Sequence, residues 1–508
     1  MSDKFYITTP IYYVNDVPHI GHAYTSIAVD FLARYSRMCG VETRFTTGTD
    51  EHGLKIQKAA KKRNIDEQSL CDENSEIFRE LTNILNLSND DFIRTTEERH
   101  KIGASFLWNK LYENDDIYLD KYDGWYSVSD ETFYNEKDLI KQKDETFKTI
   151  TGGPVEWIEE ESYFFRLSKY ENKLLKFYRD NSDFILPKSK YNEVVSFVKS
   201  GLKDLSVSRA SFDWGIKVPN NEKHIMYVWL DALTSYPNSI NYLSNDNDPL
   251  SDYWSNVIHI VGKDILRHHA VYWPAFLLAA GLKLPKRIFA HGWWTNEGNK
   301  ISKSLGNVID PIELINEYGL DQIRYFLLRE VPFGNDGDFA IKALNNRINA
   351  DLSNDLGNLC QRSLTMIEKS YNSTIPSDKN LSVNDKALLN SIINNNLPKL
   401  DEYISKQDIT SYIKTVWESI SDTNKYFNDK RPWELKKTNE IEYGNVLYVT
   451  AEIIRRISIL IYPVMPDTSK KILSMLSCDC TNILISDIKN DNVSSKKLQN
   501  VKQLFPRV

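Results

Sequence analysis

The sequence predicts an α/β domain at the start of the chain and a mostly helical region from about residue 346 to the end. The first observation is a strand, loop, helix and strand in succession before residue 48, which is typical of a βαβ unit. The second is a pair of long amphipathic runs with helical spacing at residues 386–404 and 447–461. The third is the length of 508 residues, which suits about three domains.

The first strand is expected at residues 4–9, a run rich in aromatic and β-branched side chains. Pro18 lies in the loop that follows, where a proline interrupts regular structure. From His22 onward the apolar residues recur at helical spacing until Gly40, where the helix should end. A second strand at residues 43–47 completes the unit, which therefore opens an α/β domain.

The middle of the chain has a different pattern. At residues 116–222 short aromatic runs alternate with charged turns, which predicts an insertion with its own small sheet. Alternation of helix and strand returns at 224–233 and 257–261. A basic stretch rich in turn residues follows at 292–307, before the helical region begins.

Composition and charge exclude several classes of protein. The chain has 63 basic and 70 acidic residues, so its net charge of −7 excludes a globally basic nucleic-acid coat but not a local basic patch. Hydrophobic residues at 41% and charged residues at 26% argue against wholesale disorder. No secretory signal and no apolar run of about 18 residues is present, so we expect a cytoplasmic protein without a membrane span.

The five cysteines are scattered, which is not the pattern of a disulfide framework and suits a reducing compartment. Cys478 and Cys480 form the one close pair, and they lack further Cys or His nearby, so they make a poor zinc site. All nine histidines precede residue 292, which predicts that the chemistry lies in the N-terminal part of the chain.

The motif His-Ile-Gly-His at residues 19–22 stands where the first strand and its loop lead into the first helix. A helix N-terminus offers free N–H groups and a partial positive charge, which favour an anion. Gly21 has no Cβ, so a base or phosphate can approach the backbone closely. The imidazoles of His19 and His22 can donate hydrogen bonds to phosphate oxygens. By itself the motif fits a pair of capping residues at a solvated helix start equally well.

The motif Lys-Ile-Ser-Lys-Ser at residues 300–304 lies in a turn-rich stretch, with Gly298 before it and Gly306 after it. The flexible side chains of Lys300 and Lys303 can neutralise charge that develops between departing phosphates. Small residues around them permit loop closure. Taken alone, this motif also fits an ordinary solvated loop.

Together the two motifs resemble the HIGH and KMSKS signatures of class I aminoacyl-tRNA synthetases, with Ile301 at the second position of the latter. Further segments are similar to the methionyl-tRNA synthetase family, and these matches extend from about residue 5 to residue 433. The matching segments are residues 10–15, 48–53, 227–232, 262–265 and 333–337, with Asn358, Arg362 and the pair Pro432-Trp433.

The resemblance implies a Rossmann-like parallel-sheet catalytic domain with a connective insertion, followed by an all-α anticodon-binding bundle. Residues 1–115 and 223–291 would be the two halves of the catalytic domain, and 116–222 the insertion. Residues 292–345 would hold the KISKS loop and a stem-contact region. Residues 346–508 would form the anticodon-binding helices.

The resemblance also implies a methionine pocket that is apolar and aromatic, because thioethers pack well on aromatic rings. Asp50 matches the carboxylate that pairs with the substrate ammonium, and His269 matches a polar contact to the substrate. Any one of the aromatic residues alone would fit plain core packing. His52 and Asp231 match family motifs as well, and we interpret them as structural supports. The pocket positions are Ile11, Tyr13, Asp50, Trp229, Ala232, Leu233, Tyr236, Ile265, His269 and Trp273.

For ATP, the resemblance implies a position over Gly21, with adenine and ribose near His19, His22, Gly262 and Asp264. The substrate carboxylate attacks the α-phosphorus and pyrophosphate leaves, so no enzyme nucleophile is needed and catalysis is positioning plus charge stabilisation. His22 and Lys303 are the expected transition-state contacts, supported by His19 and Lys300. Mg²⁺ accompanies ATP. The methionyl group then moves to the terminal ribose of the tRNA.

In the helical region Trp433 matches a tryptophan that stacks on an anticodon base, and Asn358 and Arg362 match residues that read base edges. Stacking on aromatic rings and hydrogen bonding to splayed bases is how proteins read single-stranded RNA. The alternative for Trp433 is a residue at a helix start that packs in the bundle.

The chain departs from many family members in its insertion. Residues 127–130 are serines, a valine and an aspartate where a zinc-binding CxxC would stand, and no cysteine lies between Cys71 and Cys360. We therefore expect no structural zinc and no other protein-bound metal. The chain also ends soon after the helical region, without the appended tRNA-binding module with which dimerisation is usually associated. We therefore expect a monomer.

Three alternatives remain open from the sequence. The chain could be a synthetase for another apolar amino acid, although the segment around Trp229 and the lack of a large editing insertion argue against this. It could be a small-molecule adenylyltransferase, although these are short and lack a helical bundle. It could be a non-catalytic RNA-binding relative, although such a protein has no use for intact HIGH and KISKS motifs.

Overall fold

The computed structural model describes residues 4–15, 17–127, 132–134, 136–142, 146–150, 152–243, 248–296, 298–300 and 308–508. Its strands, in chain order, are β1 (Lys4–Thr8), β2 (Tyr12–Tyr13), β3 (Glu42–Asp50), β4 (Asp91–Arg94), β5 (Ile117–Ser127), β6 (Thr132–Tyr134), β7 (Ile140–Lys141), β8 (Phe147–Lys148), β9 (Glu156–Phe165), β10 (Ile185–Leu186), β11 (Leu205–Ser206), β12 (Ser208–Arg209), β13 (Lys217–Val218), β14 (Asn221–Met226), β15 (Val257–Gly262), β16 (Arg287–His291), β17 (Trp294–Asn296), β18 (Asn299–Lys300) and β19 (Gly337–Phe339).

The α-helices are α1 (Ile20–Met38), α2 (Leu54–Arg63), α3 (Glu67–Ile84), α4 (Glu98–Glu113), α5 (Glu171–Asp180), α6 (Lys188–Lys199), α7 (Val228–Leu233), α8 (Ser235–Asn238), α9 (Trp273–Ala279), α10 (Pro311–Tyr318), α11 (Leu320–Arg329), α12 (Ile341–Arg347), α13 (Asn358–Ser370), α14 (Val383–Ser391), α15 (Leu397–Ser405), α16 (Ile409–Lys430), α17 (Pro432–Thr438), α18 (Glu440–Ile461) and α19 (Pro466–Met475). Single π-helical segments lie at His268–Tyr272, Ile348–Gly357 and Ile392–Asn396. Within the described ranges, no helix is both long enough and apolar enough to cross a membrane.

The chain forms two compact units. The first contains Met1–Pro18 and Arg44–Ala290, and the second contains His19–Thr43 and His291–Val508. Each unit is therefore built from two separate stretches of sequence. The helix α1, which begins at the HIGH motif, belongs to the second unit.

The first unit is organised around a seven-stranded sheet in the order β10-β16-β15-β1-β3-β2, with β4 paired to β3. The pairs β1–β15, β10–β16, β2–β3 and β3–β4 are all parallel. Because carboxyl ends of parallel strands meet at one edge of a sheet, Asp50 at the end of β3 and Gly262 at the end of β15 lie at the edge where ligands bind in such folds.

The predicted first and second strands are confirmed with small differences at their ends. The first strand ends at Thr8 rather than residue 9, and the second extends to Asp50 rather than residue 47. The extension arises because residues 46–49 pair with β4 and the last two pair with β2. Both strands are buried over most of their length, as expected of a parallel sheet that is covered on both faces.

An antiparallel sheet in the order β11-β9-β5-β6 lies in the segment where the sequence predicts a small sheet. Its two long strands pair from Ile117 opposite Phe165 to Tyr126 opposite Glu156. At the far end the ring of Trp125 contacts Phe147 and Trp157, with centroid distances of 4.8 and 5.3 Å. Aromatic cross-strand contacts of this kind stabilise a sheet.

The second unit is mostly helical, and with the parallel sheet of the first unit it confirms the predicted fold class. The run predicted at 447–461 lies inside α18, whose residues from Tyr443 onward are buried. The run predicted at 386–404 is divided between α14 and α15, with a π-helical segment between them. A short sheet in the order β18-β17-β19 also belongs to this unit.

A buried ion cluster holds α1 in the second unit. The Asp30 carboxylate accepts hydrogen bonds from Arg34 Nε at 2.7 Å and from Arg324 Nη2 at 2.6 Å. Arg324 also donates to the carbonyl oxygens of Pro463 and Val464, in the turn after α18. Breaking a buried pair by removing one partner costs about 3–5 kcal/mol. The helix that follows the HIGH motif is therefore fixed to α11 and to the turn that follows α18.

Candidate active-site residues

The HIGH motif forms a reciprocal cap at the start of α1. His19 is the residue before the helix, and its Nδ1 accepts the Gly21 N–H at 3.1 Å. The His19 N–H in turn is donated to His22 Nδ1 at 3.0 Å. In a neutral imidazole one ring nitrogen accepts and the other carries the proton. Because both Nδ1 atoms accept, the proton of each ring lies on Nε2.

The electrostatics of this turn keep His22 uncharged. Burial, with a smaller contribution from the neighbouring His19, holds the pKa of His22 well below its usual range. The two rings lie 4.0 Å apart, centroid to centroid. The turn therefore presents two imidazole N–H donors at a helix N-terminus, which suits a negatively charged phosphate.

Gly21 has a second role that the sequence did not indicate. A Cβ at this position would lie 2.9 Å from Cε1 of the His19 ring. Any side chain at residue 21 would therefore displace the imidazole that caps the helix. The close approach that the glycine permits in the structure is that of His19.

The KISKS motif is described only at its first residue. The backbone of Lys300 lies in β18, opposite Thr295 of β17. Residues 301–307, which include Lys303 and the rest of the motif, lie outside the described residues, as does the side chain of Lys300. The roles expected of both lysines therefore stay predictions.

Four of the predicted methionine contacts form one network in the first unit. The Tyr236 hydroxyl donates to His269 Nε2 at 2.7 Å, and His269 Nδ1 donates to the Ile265 carbonyl at 2.9 Å. The ring of Trp229 lies edge-on to the His269 ring at 5.9 Å. Predicted pocket residues from α7, α8 and the segment before α9 are thus brought together.

The hydrogen bonds and the burial of His269 agree on its charge. Burial lowers the pKa of His269 to about 4, so the ring is neutral at physiological pH. Only the neutral ring can accept the Tyr236 hydroxyl at Nε2. Burial also holds the pKa of Tyr236 well above its usual range, so the phenol keeps its proton.

Asp50 ends β3 and is 7% exposed. Its backbone pairs with Tyr13 of β2, and the Tyr13 hydroxyl donates to the His52 carbonyl at 2.6 Å. A cation bound by a carboxylate at this depth is poorly screened by solvent, so the pairing is stronger than on the surface. This site suits an ammonium group.

The remaining predicted residues of the first unit lie close to these in sequence. Ala232 and Leu233 are buried on α7, and Trp273 is buried at the start of α9, with its ring edge-on to Trp254 at 6.0 Å. The Nε1 of Trp273 has no hydrogen-bond partner in the part of the chain that the structure describes. Ile11 lies in the loop before β2.

The two predicted ATP contacts of the first unit follow the same strand. Gly262 ends β15, and Asp264 is exposed in the turn directly after it. Both therefore lie at the carboxyl edge of the parallel sheet.

Two contacts in this region were not predicted from the sequence, although His52 and Asp231 were interpreted there as structural supports. The ring of His268 stacks on Trp229, with centroids 3.9 Å apart and planes 14° apart, and burial lowers the pKa of His268 to about 3. The carboxylate of Asp231 accepts hydrogen bonds from both His52 and His100. The pair of adjacent histidines was a signal for the first feature, but nothing in the sequence marked His100.

In the second unit Arg362 and Trp433 lie together. The Arg362 guanidinium lies 5.7 Å from the centroid of the Trp433 ring, and it donates to Asn428 Oδ1 at 3.0 Å. Trp433 is 43% exposed at the start of α17. Asn358 begins α13, one helical turn before Arg362. The indole is half open to solvent rather than packed in the core of the bundle.

No group of three or more His, Cys, Asp or Glu side chains within the described ranges is arranged to hold a metal ion. Cys71 and Cys360 are buried, and all five cysteines are free. The burial of Cys71 and of Cys360 keeps the pKa of each thiol above its usual value. Neither is poised to act as a nucleophile.

Comparison with known proteins gives a consistent result. Residues 5–364 match the profile of the family described as tRNA synthetases class I (M). The chain is 51% identical to a methionine–tRNA ligase of Rickettsia felis over 517 aligned positions, covering 100% of this chain and 99% of that protein. It is 50% identical to the same ligase of Rhizobium meliloti, covering 100% of this chain and 98% of that one.

Solved structures agree. A methionyl-tRNA synthetase of Mycobacterium tuberculosis in complex with methionyl-adenylate is similar with a TM-score of 0.97 and 44% identity, covering 99% of this chain and 100% of that chain. The free form of the Mycobacterium tuberculosis enzyme is similar with a TM-score of 0.89.

Proposed function

This chain belongs to the methionyl-tRNA synthetase family of class I enzymes, and from that premise we infer that it is a methionine–tRNA ligase. It activates methionine with ATP to form methionyl-adenylate and pyrophosphate, and then transfers methionine to the 3′ end of its tRNA. The observation that carries this function is the match to methionine–tRNA ligases along the whole chain.

Methionine is held by the residues around Asp50 and His269. The substrate ammonium pairs with the Asp50 carboxylate, and the thioether lies among Trp229, Tyr236 and their neighbours. Aromatic rings and sulfur attract each other by about 0.3–1.5 kcal/mol per contact, which favours a thioether over an alkyl chain. The neutral His269 adds a polar contact. The full set is Ile11, Tyr13, Asp50, Trp229, Ala232, Leu233, Tyr236, Ile265, His269 and Trp273.

The HIGH motif serves ATP, which enters as its Mg²⁺ complex. A carboxylate oxygen of methionine attacks the α-phosphorus, the bond from that phosphorus to the bridging oxygen breaks, and pyrophosphate leaves with the electron pair. The Nε2–H groups of His19 and His22 donate to phosphate oxygens as negative charge shifts between them. Gly21, Gly262 and Asp264 contact the nucleotide.

Lys300 and Lys303 contribute positive charge to the departing pyrophosphate. A lysine ammonium is a compact charge on a flexible stem, which suits a group that must follow a leaving phosphate. Both residues act in the same step as His22, and neither acts as a nucleophile or a base.

Recognition of the tRNA belongs to Asn358, Arg362 and Trp433. A half-exposed indole such as that of Trp433 can stack on an unpaired base, and the Arg362 guanidinium and Asn358 amide can bond to base edges. The partner is the methionine tRNA, read at its anticodon.

The order of the segments follows the same reasoning. Residues 1–115 and 223–291 carry the catalytic sheet apart from β10, and 116–222 is the connective insertion, which supplies β10 at an edge of that sheet. Residues 292–345 carry the KISKS loop. Residues 346–508 bind the anticodon. The protein acts as a cytoplasmic monomer.

Charging of a methionine tRNA transcript with labelled methionine tests the function as a whole. The expected result is ATP-dependent attachment of methionine to that transcript, and no attachment to a transcript whose anticodon is replaced. Pyrophosphate release without any charged tRNA would contradict the ligase activity.

Methionine affinity should be independent of pH between about 5.5 and 8. His269 has a pKa lowered to about 4, so it stays neutral and keeps its bond with Tyr236 until the pH falls through that value. The dissociation constant can be measured from tryptophan fluorescence, without ATP. A loss of affinity with a midpoint near the usual histidine pKa of about 6.5 would show that the pKa of His269 is not lowered by burial.

The lowered pKa values of His268 and His269 also predict how the stability of the fold depends on pH. In the unfolded chain an imidazole takes up a proton below about pH 6.5, whereas the folded His268 and His269 do so only near pH 3 and 4. The unfolded state therefore binds more protons in this window, and the free energy of unfolding should fall as the pH falls from about 6.5 towards 4. Urea titrations at pH 7.5 and 5.0 measure the difference.

The purified protein should contain no stoichiometric zinc. Structural zinc takes four Cys or His ligands, and residues 116–222 contain neither. Elemental analysis measures this directly, with a zinc-selective chelator at saturating Mg²⁺ as the functional control. One zinc per chain, or loss of activity with the chelator, would overturn the expectation.

A further inference from the structure

Asp231 is a buried carboxylate that neither the pocket nor the ATP contacts use. We propose that Asp231, held by His52 and His100, is a positioning residue of the methionine site: it fixes three segments that carry methionine contacts, so that its loss weakens methionine binding and leaves ATP binding nearly unchanged. The proposal rests on the proposed function, because it assumes that these segments bind methionine.

The first segment is the helix α7 itself. Asp231 has no exposed surface, and it lies on α7 between Trp229 on one side and Ala232 and Leu233 on the other. The side chain of Thr234 closes the helix by donating to the Asp231 carbonyl at 2.6 Å. Whatever fixes the Asp231 carboxylate therefore also fixes the helix that carries three predicted methionine contacts.

The second segment is the end of β3. His52 Nδ1 donates to Asp231 Oδ2 at 2.6 Å. His52 stands two residues after Asp50, and its carbonyl accepts the Tyr13 hydroxyl at 2.6 Å. The His52 ring is also buried, with Trp214 edge-on to it at 5.7 Å. One side chain thus joins α7 to the residues that receive the substrate ammonium.

The third segment is α8, which carries Tyr236. His100 of α4 donates from Nε2 to Asp231 Oδ1 at 2.6 Å. The Asn238 amide, at the end of α8, donates to the His100 carbonyl at 3.1 Å and to His100 Nδ1 at 3.4 Å. Gly103 permits this contact, since a Cβ there would lie 1.8 Å from Asn238 Oδ1.

These hydrogen bonds determine the charge of Asp231 and the ring nitrogens at which His52 and His100 carry their protons. Each imidazole donates one N–H to the carboxylate, and His100 accepts at its other nitrogen. Burial alone would raise the pKa of Asp231, but His52 and His100 together lower it to about 2, so the carboxylate is an anion at every working pH. Both of its oxygens are engaged by a donor. The hydrogen bonds among His52, Asp231 and His100 can therefore be formed in one arrangement of protons.

An asparagine at residue 231 weakens this arrangement. Its amide oxygen accepts one N–H, but its amide nitrogen faces the other ring nitrogen, so one imidazole must move its proton to its other nitrogen. If His100 does so, it gives up its bond with Asn238. If His52 does so, both bonds to residue 231 join neutral groups, whereas bonds to a charged group are roughly twice as strong. The common anchor of the segments is therefore weakened although the size of the side chain is almost unchanged.

If Asp231 had only a structural role, replacing another buried carboxylate of the same unit should have the same effect. Asp116 is 2% exposed, and its oxygens accept from the Tyr170 hydroxyl at 2.8 Å and from Lys169 Nζ at 2.7 Å. It carries no predicted substrate contact on its own segment. Asp116→Asn is therefore the control for Asp231→Asn.

The experiment compares ATP–pyrophosphate exchange for the wild-type protein, Asp231→Asn and Asp116→Asn, with KM measured for methionine and for ATP. A small displacement of a binding group can cost on the order of 10²-fold, and we expect Asp231→Asn to raise the methionine KM by roughly tenfold to a hundredfold. The KM for ATP should stay within about twofold, and Asp116→Asn should change neither constant by more than that.

A second pair of variants keeps the test decisive if Asp231→Asn does not fold. His52→Asn keeps an N–H donor near the place of Nδ1, whereas His52→Leu removes it. Methionine KM should rise roughly tenfold in the leucine variant and recover most of that loss in the asparagine variant. Equal constants in the two variants would overturn the proposal.

Two further results would contradict the positioning role. One is an unchanged methionine KM in a folded Asp231→Asn protein. The other is an equal rise of both KM values, matched by Asp116→Asn, which would show a loss of fold only. A wild-type protein that shows no exchange with methionine would overturn the proposed function itself, and this role with it, so the two failures are distinguishable.

Discussion

Replacing His22 by alanine should slow methionyl-adenylate formation by about 10²- to 10³-fold, which is the usual loss when one donor to transition-state charge is removed. His22 is partly buried and neutral, and its Nδ1 accepts the His19 N–H, so Nε2–H is the group that it offers to phosphate. Binding of methionine in the absence of ATP involves neither the His19 ring nor the His22 ring. Its dissociation constant should therefore stay within about threefold. Single-turnover formation of the adenylate, without tRNA, measures the rate.

The substitution also removes half of a helix cap, so the control must do the same elsewhere. Ser382 and Asp385 form a reciprocal cap at the start of α14, in the same unit. Ser382→Ala should cost about 1 kcal/mol of stability, as a lost cap does, and leave the rate unchanged. A large rise in the methionine dissociation constant of His22→Ala, with the rate preserved, would refute the assignment.

Replacing Trp433 by alanine should reduce tRNA charging and leave adenylate formation intact. The loss of one stacked base costs about 1–3 kcal/mol, which is roughly a five- to 150-fold loss of charging efficiency. Because the indole is 43% exposed, its truncation leaves no large cavity in the bundle. Charging and ATP–pyrophosphate exchange are measured on the same preparation.

Trp157 offers a matched control, since it is a tryptophan of similar exposure, 50% against 43%, on β9 in the other unit. Trp157→Ala should leave charging unchanged. Trp433→Phe should retain part of the stacking. If exchange in Trp433→Ala falls as far as charging does, the residue supports the fold, and the anticodon assignment is wrong.

The sequence predicted the elements that bury a continuous apolar surface. β1 and β15 are short runs of β-branched and aromatic residues, and α1 has an apolar face that ends before Gly40, whose φ of 77° suits glycine. These patterns are local, so they are legible in one sequence. The π-helical turn at His268–Tyr272 was not predicted, because its apolar spacing differs little from that of an α-helix.

The site residues could not be predicted from such local patterns. The methionine-pocket residues were predicted from the family resemblance, because an aromatic side chain that lines a pocket and one that fills a core have the same local pattern. The link between His52, His100 and Asp231 joins three distant parts of the sequence, and only the fold reveals it.

The two interpretations of the HIGH motif, a helix cap and a phosphate site, are compatible with each other. Its histidines do cap the helix, and by accepting at Nδ1 they place their protons at Nε2. The cap thus prepares the donors that a phosphate requires. The sequence alone could not show this, since the tautomers follow from the hydrogen bonds.

Family membership and the match along the whole chain also set aside the alternatives left open by the sequence, which were a synthetase for another apolar amino acid, an adenylyltransferase and a non-catalytic relative. Beyond family membership, we propose that this particular pocket selects methionine.

ATP–pyrophosphate exchange with each amino acid in turn, in the absence of tRNA, tests that claim most directly. The account predicts strong exchange with methionine and weak exchange with homocysteine, because a missing methyl group in an apolar pocket costs about 1–3 kcal/mol. It predicts little or none with leucine, which lacks the sulfur and has a branched shape. Equal exchange with leucine and methionine would contradict it.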